Sequence, residues 1–354
     1  MKMSYINMRK MKHNWSVWAI GLLVALQLTA CQGNKEPSQE VILRNIAAAK
    51  DSVARIIPEG KELTPFTFTP QWTPQAQFTG YYVAQELGFY REVGLDVTII
   101  HPTLTYSAMN RIRNSESDAT TLQLSQALEI IDNGIPMVNI LQTSMNNALA
   151  IVSRTGDNPL TMHGARVGSW VSGYDQIPIC MSIKEGLDYN WMPMTNSITP
   201  FLANAVDAIT VMVYNEYYQL MQAGVELNEE NTFRFRDSKY NIQEDGLYMK
   251  RDHYLEHQQE AEALAKASRK GWEWTKAHPN EALEIVMQYV KKENIATNRI
   301  LQKKMLNEII DLQLDKESGE QAFTLRRDMV ASAVELMREY GLIQHELDYE
   351  ELIP

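Results

Sequence analysis

The chain has 354 residues, 45% of them hydrophobic and 22% charged, which is ordinary globular composition with material for two bodies of core. Its formal net charge of −11 argues against nucleic acid as a partner and against attraction to anionic membrane surfaces.

Residues 1–30 carry Lys2, Arg9, Lys10 and Lys12 and no acid, so their removal takes the net charge to −15. The apolar run 15–28, WSVWAIGLLVALQL, is too short for a comfortable transmembrane helix and has the shape of a secretory signal core. Leu28-Thr29-Ala30-Cys31 resembles a bacterial lipobox. That resemblance implies cleavage before Cys31 and lipidation of its thiol, which would give a membrane-anchored, extracytoplasmic protein. A plain secretory signal or a short membrane anchor is the alternative. The residues after Cys31, QGNKEPSQE, read as a polar tether. Cys180 is the other cysteine and lies in the apolar run IPICMSI with no adjacent base, as a small buried hydrophobe would. With Cys31 lipidated, no intramolecular disulfide can form.

The apolar spacing predicts a helix over 39–57, stopped by Pro58 and Gly60. A strand follows over 65–69. Strands and helices then alternate: helix 81–86, strand 96–101, helix 107–114, strand 119–122, helix 123–133, and strands 138–142 and 148–153. The alternation continues with strand 166–170, helix 177–185, strand 208–214, helix 215–222, and strands 232–236 and 246–250. This order implies parallel strand–helix–strand units. The last hundred residues read as four helices, over 254–277, 280–292, 297–311 and 320–340. Trp272 and Trp274 are two apart and cannot share a helix face, so one is expected inside and the other partly exposed.

The stretch 71–97, QWTPQAQFTGYYVAQELGFYREVGLDV, crowds Trp72, Phe78, Tyr81 and Tyr82 into a loop and a first helical turn. It reads as one wall of a small-molecule pocket, with Gly80 permitting close approach of a ligand to the backbone. Of the three rings Phe78, Tyr81 and Tyr82, helical geometry allows one or two to face a cleft.

This run, W-T-P…F-T-G-Y-Y-V-A…G-F-Y…G-L-D-V, resembles the opening of the NMT1/THI5-like group of type II periplasmic binding proteins. Gly134-Ile135-Pro136, Tyr214-Asn215-Glu216-Tyr217 and Glu244-Asp245-Gly246 follow in the order of that group, and the last two resemble its pyrimidine branch. The resemblance spans roughly residues 64–295. It implies an α/β fold of two lobes with the ligand cleft between them and additional C-terminal helices. The implied division is a signal peptide 1–30, a tether and helix 31–63, a first part of lobe 1 over 64–152, lobe 2 over 153–247, and a return to lobe 1 over 248–354. The crossings are expected near 150–154 and 247–251.

Trp72, Tyr81, Trp170, Tyr174 and Tyr214 stand at or just beyond expected strand ends, where aromatic faces suit a flat ring. Phe78 belongs with them as part of the opening wall. Thr103, Thr105 and Thr120 offer hydroxyls after the second and third strands. Asn215 and Glu216 suit the donor and acceptor edge of an aminopyrimidine, although Glu216 is also a reasonable helix-start acid. The turn at 102–105 has no glycine, which weakens any case for a backbone nest holding a sulfonate or phosphate. His101 and His163 have no second ligand at metal spacing and read as loop histidines, and Asp245 as a solvated or hinge position.

The resemblance implies a receptor that hands a thiamine-precursor pyrimidine, or a similar small ring compound, to ABC permease and ATPase subunits, with no cofactor and no catalytic residue. A receptor for a sulfonate, nitrate or taurine-type ligand is the alternative. The same family fold serves a pyrimidine synthase that uses pyridoxal phosphate on a lysine and consumes a histidine. The corresponding segment here, 120–133, contains no Lys, His or Cys.

Overall fold

The computed structural model describes residues 36–354 apart from Glu59, Lys61, Leu104, Val171, Ser172 and Asn196. The expected signal segment and Cys31 lie outside the described residues. Ser38 caps the first helix, α1 (Gln39–Ala54), whose buried face is Ile42, Ile46 and Val53. Strand β1 (Thr64–Thr69) leads through a loop into α2 (Thr79–Glu86), and β2 (Leu95–Ile99) is followed by α3 (Ala108–Arg113). Strand β3 (Ala119–Gln123) runs directly into α4 (Leu124–Asp132), where Gln123 and Gln126 form a reciprocal cap, and β4 (Met137–Gln142) completes the first passage.

The chain then crosses to a second sheet. This holds β5 (Leu149–Ser153), β6 (Arg166–Trp170), α5 (Gln176–Lys184), β7 (Asn190–Met194), β8 (Ala208–Met212), α6 (Glu216–Gln222) and β9 (Thr232–Arg234). It returns through β10 (Asp245–Lys250) to the first sheet, followed by α7 (Arg251–Glu256), α8 (Gln258–Ala277), α9 (Pro279–Lys292), α10 (Arg299–Leu312) and α11 (Arg327–Glu339).

Each sheet has five strands, in the orders β2-β1-β3-β10-β4 and β7-β6-β8-β5-β9. The parallel units expected from the alternation are present: β1 pairs in parallel with β2 and β3, and β6 with β7 and β8. The crossing strands are the exceptions. Strand β10 is antiparallel to β3 and β4, and β5 is antiparallel to β8 and β9. Central strands β3, β5 and β8 are buried at every position, so none of the three carries a charged residue or an apolar/charged alternation.

Both crossings fall earlier than the sequence reading placed them. The chain leaves the first sheet after Gln142 and returns before Asp245, so all of β5 belongs to lobe 2 and all of β10 to lobe 1. An apolar run says that a strand is buried and does not say in which sheet. Two other details differ. Strand β7, NWMPM, was not expected, since its proline is tolerated only because β7 is an edge strand. The last helix starts at Arg327 rather than near 320, because residues 313–326 form an irregular bridge that includes a Leu314–Gln321 pairing.

Helix α1 lies on lobe 1, with Asn45 donating to Glu281 at 2.7 Å and Lys50 paired with Glu86 at 2.8 Å. Helices α10 and α11 each touch both lobes. Helix α10 carries Glu308, which accepts from Tyr218 of lobe 2 at 2.5 Å. Helix α11 carries Glu339, which pairs with Lys184 of lobe 2 at 2.9 Å, while Asp132 of lobe 1 accepts from the backbone of Gln344 and His345 just after α11.

Candidate ligand-binding cleft

Strand ends from the two sheets meet in one cleft. Lobe 1 contributes the loop after β1, with Gln71, Trp72, Gln75 and Gln77. Lobe 2 contributes Trp170 at the end of β6, Tyr174 in the turn that follows, and Met212 to Glu216 at the junction of β8 and α6. Together they enclose an inner chamber of about 30 Å³, roughly the room of one water molecule. Tyr174 is edge-on to both indoles, with ring centroids 5.8 Å from Trp72 and 6.1 Å from Trp170. Trp72 and Tyr174 therefore meet across the cleft, one from each lobe.

Trp72 is held from behind. His101 Nδ1 lies 2.6 Å from the Trp72 carbonyl and Nε2 lies 2.9 Å from the Tyr82 hydroxyl. Burial pushes the imidazole down to about 4, so at neutral pH it is uncharged. A carbonyl only accepts, so Nδ1 carries the proton and donates to Trp72, and Nε2 accepts from Tyr82.

The glutamines form a connected floor. Asp245 accepts from Gln71 at 2.9 Å and from Gln77 at 2.6 Å, and Gln75 donates to Gln77 at 2.7 Å. Asp245, the first residue of β10 at the return crossing, is thus a structural anchor for the loop after β1; of the solvated or hinge position expected for it, the solvated reading falls. Burial pushes its carboxyl above the usual range. Gln71 Oε1 is buried and has no hydrogen-bond partner.

Opposite this floor stands Glu216, only 5% exposed. One oxygen accepts from the Met212 backbone N–H at 3.1 Å and the other from Asn215 Nδ2 at 2.8 Å. Asn215 Oδ1 in turn accepts from Gln219 at 2.9 Å. Asn215 therefore orients the carboxyl. Burial pushes Glu216 up to about 7, so near neutral pH it can accept a proton-bearing edge or donate its own proton. Behind Tyr214 is a second small cavity of about 10 Å³ bordered by Gln77, Thr143, Glu244 and Asp245.

Outward from Trp72, Trp170 and Tyr174, the cleft widens into an outer chamber of about 790 Å³. Its rim is formed by exposed Thr103 and Ser107 of lobe 1 and Thr195 of lobe 2.

Of the residues singled out in the sequence, the structure brings Trp72, Trp170, Tyr174, Tyr214, Asn215 and Glu216 together around the inner chamber, and places Thr103 on the outer rim. Phe78, Tyr81 and Thr120 lie elsewhere, inside lobe 1 and at most 1% exposed. Tyr81 packs on Phe68 and Trp272 at centroid distances of 4.8 and 5.7 Å, and Phe78 on His101 at 5.7 Å. Thr120 is a core position of β3, and Thr105 is an exposed loop residue beside Thr103. Gly80 answers to packing as well. A Cβ there would lie 2.2 Å from the Trp272 ring, so the close approach it permits is to α8 and not to a ligand. The residues missed were Gln71, Gln75 and Gln77. Three glutamines within seven residues of a proline-containing loop were the available signal.

The family model NMT1/THI5 like matches residues 75–282. The chain is 27% identical over 236 residues to the formylaminopyrimidine-binding protein of Halalkalibacterium halodurans, an alignment covering 61% of this chain and 68% of that protein. Among solved structures it is similar to the periplasmic aliphatic sulphonate binding protein SsuA of Escherichia coli, with TM-score 0.60 and 10% identity over 82% of this chain and 92% of that one. It is similar also to a ligand binding component of an ABC-type import system from Staphylococcus aureus, with TM-score 0.60 and 9% identity over 82% of this chain and 96% of that one. With two lobes, two crossings and a cleft at the strand ends, the chain belongs to the NMT1/THI5-like family and has the periplasmic binding protein fold.

Proposed function

We propose that this protein is the lipid-anchored substrate-binding component of an ABC importer, and that it captures a thiamine-precursor pyrimidine of the formylaminopyrimidine or hydroxymethylpyrimidine type. The observation that carries the reading is the inner chamber, in which Trp72, Trp170 and Tyr174 face Glu216 and its orienting Asn215. Aromatic walls suit a flat ring, and a carboxyl with spare acceptor capacity suits the N–H-bearing edge of an aminopyrimidine. A ring needs more room than the chamber has in this closed arrangement. Entry therefore requires the lobes to part about the two crossings, as hinge closure in such two-lobed folds allows. The name of the 27% identical relative supports the same ligand class.

A role in binding rather than catalysis accords with the cleft chemistry, whose side chains are glutamines, aromatic rings and carboxyls held by hydrogen bonds. A sulfonate or other anion is disfavoured by Glu216 and by the glycine-free turn at 102–105. No helix among the described residues is long and apolar enough to cross a membrane. The proposed attachment through Cys31 rests on the resemblance of residues 28–31 to a lipobox.

Titration of the mature protein with 4-amino-5-hydroxymethyl-2-methylpyrimidine, its formylaminomethyl analogue and a set of alkanesulfonates, followed by tryptophan fluorescence, tests the ligand class. The pyrimidines are expected to quench and the sulfonates to leave the signal unchanged. Tight binding of a sulfonate with no response to either pyrimidine would overturn the ligand and leave a receptor. Cys31→Ala is expected to move the protein from membrane to soluble extracytoplasmic fractions, and retention on the membrane would refute the anchor.

A further inference from the structure

Two crossings join the lobes, and helix α10 makes a third connection beside them. Along its length it meets three different parts of the molecule. Near its start, Gln302 is buried and has both ends of its amide committed. Its Oε1 accepts from the Ala76 backbone N–H at 2.7 Å, and its Nε2 donates to Thr297 at 2.9 Å. The first of these bonds fixes α10 to the glutamine loop of lobe 1. Further along, Glu308 accepts from the Tyr218 hydroxyl at 2.5 Å, and Asp311 pairs with Arg236 at 2.6 Å. Tyr218 lies in α6, the helix that Asn215 caps and Glu216 begins, and Arg236 follows β9, so both bonds reach lobe 2. At the end of α10, the Leu312 carbonyl accepts from the Met145 backbone N–H at 2.9 Å, and the Leu314 carbonyl accepts from Asn146 Nδ2 at 3.0 Å. These last bonds tie the helix end to the first crossing.

A helix held in this way cannot travel with both lobes. When the lobes part about the crossings, either the bond to the glutamine loop or the bonds to lobe 2 must fail. The end beside Met145 is the pivot. Asp311 is next to it and moves little, whereas Glu308 is a full turn away, about 6 Å along the axis. A separation of about 3.6 Å already ends a hydrogen bond. Gln302 is buried, so its release would leave polar groups unpaired away from water. Tyr218 and Glu308 are half-buried, and water can take their places as partners. The bond that gives way on opening is therefore the one from Tyr218 to Glu308.

Building on the reading of the cleft as a ligand site, we infer that α10 is a brace that holds the lobes closed in the empty protein as well as in the filled one, and that the Tyr218–Glu308 bond is the latch whose release admits ligand. The bonds of the brace lie between protein groups, so they stabilise the closed form with the cleft empty or occupied. A bond present in both closed forms cancels from the affinity. It slows entry and exit alike, because each passes through the open form. The latch sets the rate of exchange and leaves the strength of binding unchanged. The brace does not depend on which ligand the cleft takes.

Spin labels on Thr103→Cys and Thr195→Cys, at the exposed rims of the two lobes, would report the lobe separation in the ligand-free mature protein. Cys180 is buried, and Cys31 is blocked by lipid on the proposed reading. A single short distance is expected with the latch intact. Tyr218→Phe keeps the ring without the donor, and Glu308→Ala removes the acceptor. In each, the population at longer distance is expected to rise at least about threefold. Glu308→Gln still offers an accepting carbonyl and is expected to keep the short distance. Stopped-flow fluorescence with 4-amino-5-hydroxymethyl-2-methylpyrimidine is expected to show association and dissociation each at least about threefold faster in Tyr218→Phe, with the Kd changed less than about twofold. A long distance in the empty unmodified protein, or no change in Tyr218→Phe and Glu308→Ala, would overturn the brace. So would a weaker Kd at an unchanged association rate, which would mean that the empty protein rests open. If neither protein bound the pyrimidine, the ligand reading would fall, and the distances in the empty protein would still decide the brace.

Discussion

Two groups of aromatic rings lie within a short distance of each other, and they differ in what their edges meet. Inside lobe 1, Phe78, Tyr81, Tyr82, Trp272 and Tyr289 pack ring on ring, with Tyr82 stacked on Tyr289 at 4.0 Å. In the cleft, Trp72, Trp170, Tyr174 and Tyr214 border cavities and stand beside glutamine and carboxyl groups. The first group comes from helices α2, α8 and α9 and the 3-10 turn (Ala76–Phe78) just before α2, whose faces are already occupied by one another. The second comes from loop and strand ends, where packing stops. Position at the end of a strand, more than aromatic character, separates a cleft-lining ring from a core ring in this fold.

Substitutions that treat the two groups alike should break them differently. The largest effect is expected inside lobe 1. Trp272 is 1% exposed and fits a gap that only Gly80 leaves open, so Trp272→Ala should cost about 3–5 kcal/mol of stability. Chemical denaturation would measure it, and a cost below about 1 kcal/mol would remove this ring from the core group.

Trp72 is half-buried and faces the cleft. Trp72→Ala should leave stability within about 1 kcal/mol of the unmodified protein, as for substitutions outside the core. It should weaken pyrimidine binding about tenfold or more through lost stacking and burial. Equilibrium unfolding and a binding titration on the same sample separate the two outcomes.

Glu216 sharpens the contrast through pH. Its folded-state pKa of about 7 lies above the ordinary 4.5, so the folded protein holds the proton more tightly than the unfolded chain does. This group's contribution to stability is full below about pH 4.5 and is lost as the pH rises through 7. Glu216→Gln should therefore be more stable than the unmodified protein above pH 7, by up to about 3 kcal/mol, and should show no such advantage near pH 4.5. Thermal melts across that range would show it, and an advantage that grew toward low pH would have the wrong sign.

The smallest effect is expected at the support. His101→Phe keeps a ring beside Phe78 but removes the hydrogen bond to the Trp72 carbonyl and the acceptor of the Tyr82 hydroxyl. A binding titration is expected to show a loss of a few-fold, since only the bond to Trp72, worth about 0.5–1.5 kcal/mol, bears on the cleft; the bond to Tyr82 is lost from stability instead.

The alternation of strands and helices was enough to anticipate parallel strand–helix–strand units, because period and turn residues are local signals, whereas the two-lobed arrangement came from the family resemblance. The crossings were misplaced for a non-local reason: β5 and β10 are defined by which sheet they join. In the site, Trp72, Trp170 and Tyr214 to Glu216 were legible because strand ends mark the cleft. Phe78 and Tyr81 were misleading because their partners, His101 and Trp272, are remote in sequence. The glutamine floor was illegible for the same reason, since it depends on Asp245, which returns to lobe 1 far along the chain.

The central claim is that the aromatic walls and Glu216 form one site for an aminopyrimidine. Calorimetric titration of the mature protein and of Glu216→Gln with the formylaminomethyl pyrimidine tests it most directly. Saturable one-to-one binding is predicted for the unmodified protein, with affinity at least tenfold weaker in the folded Glu216→Gln variant. Equal binding by both proteins, or binding by neither, would contradict it.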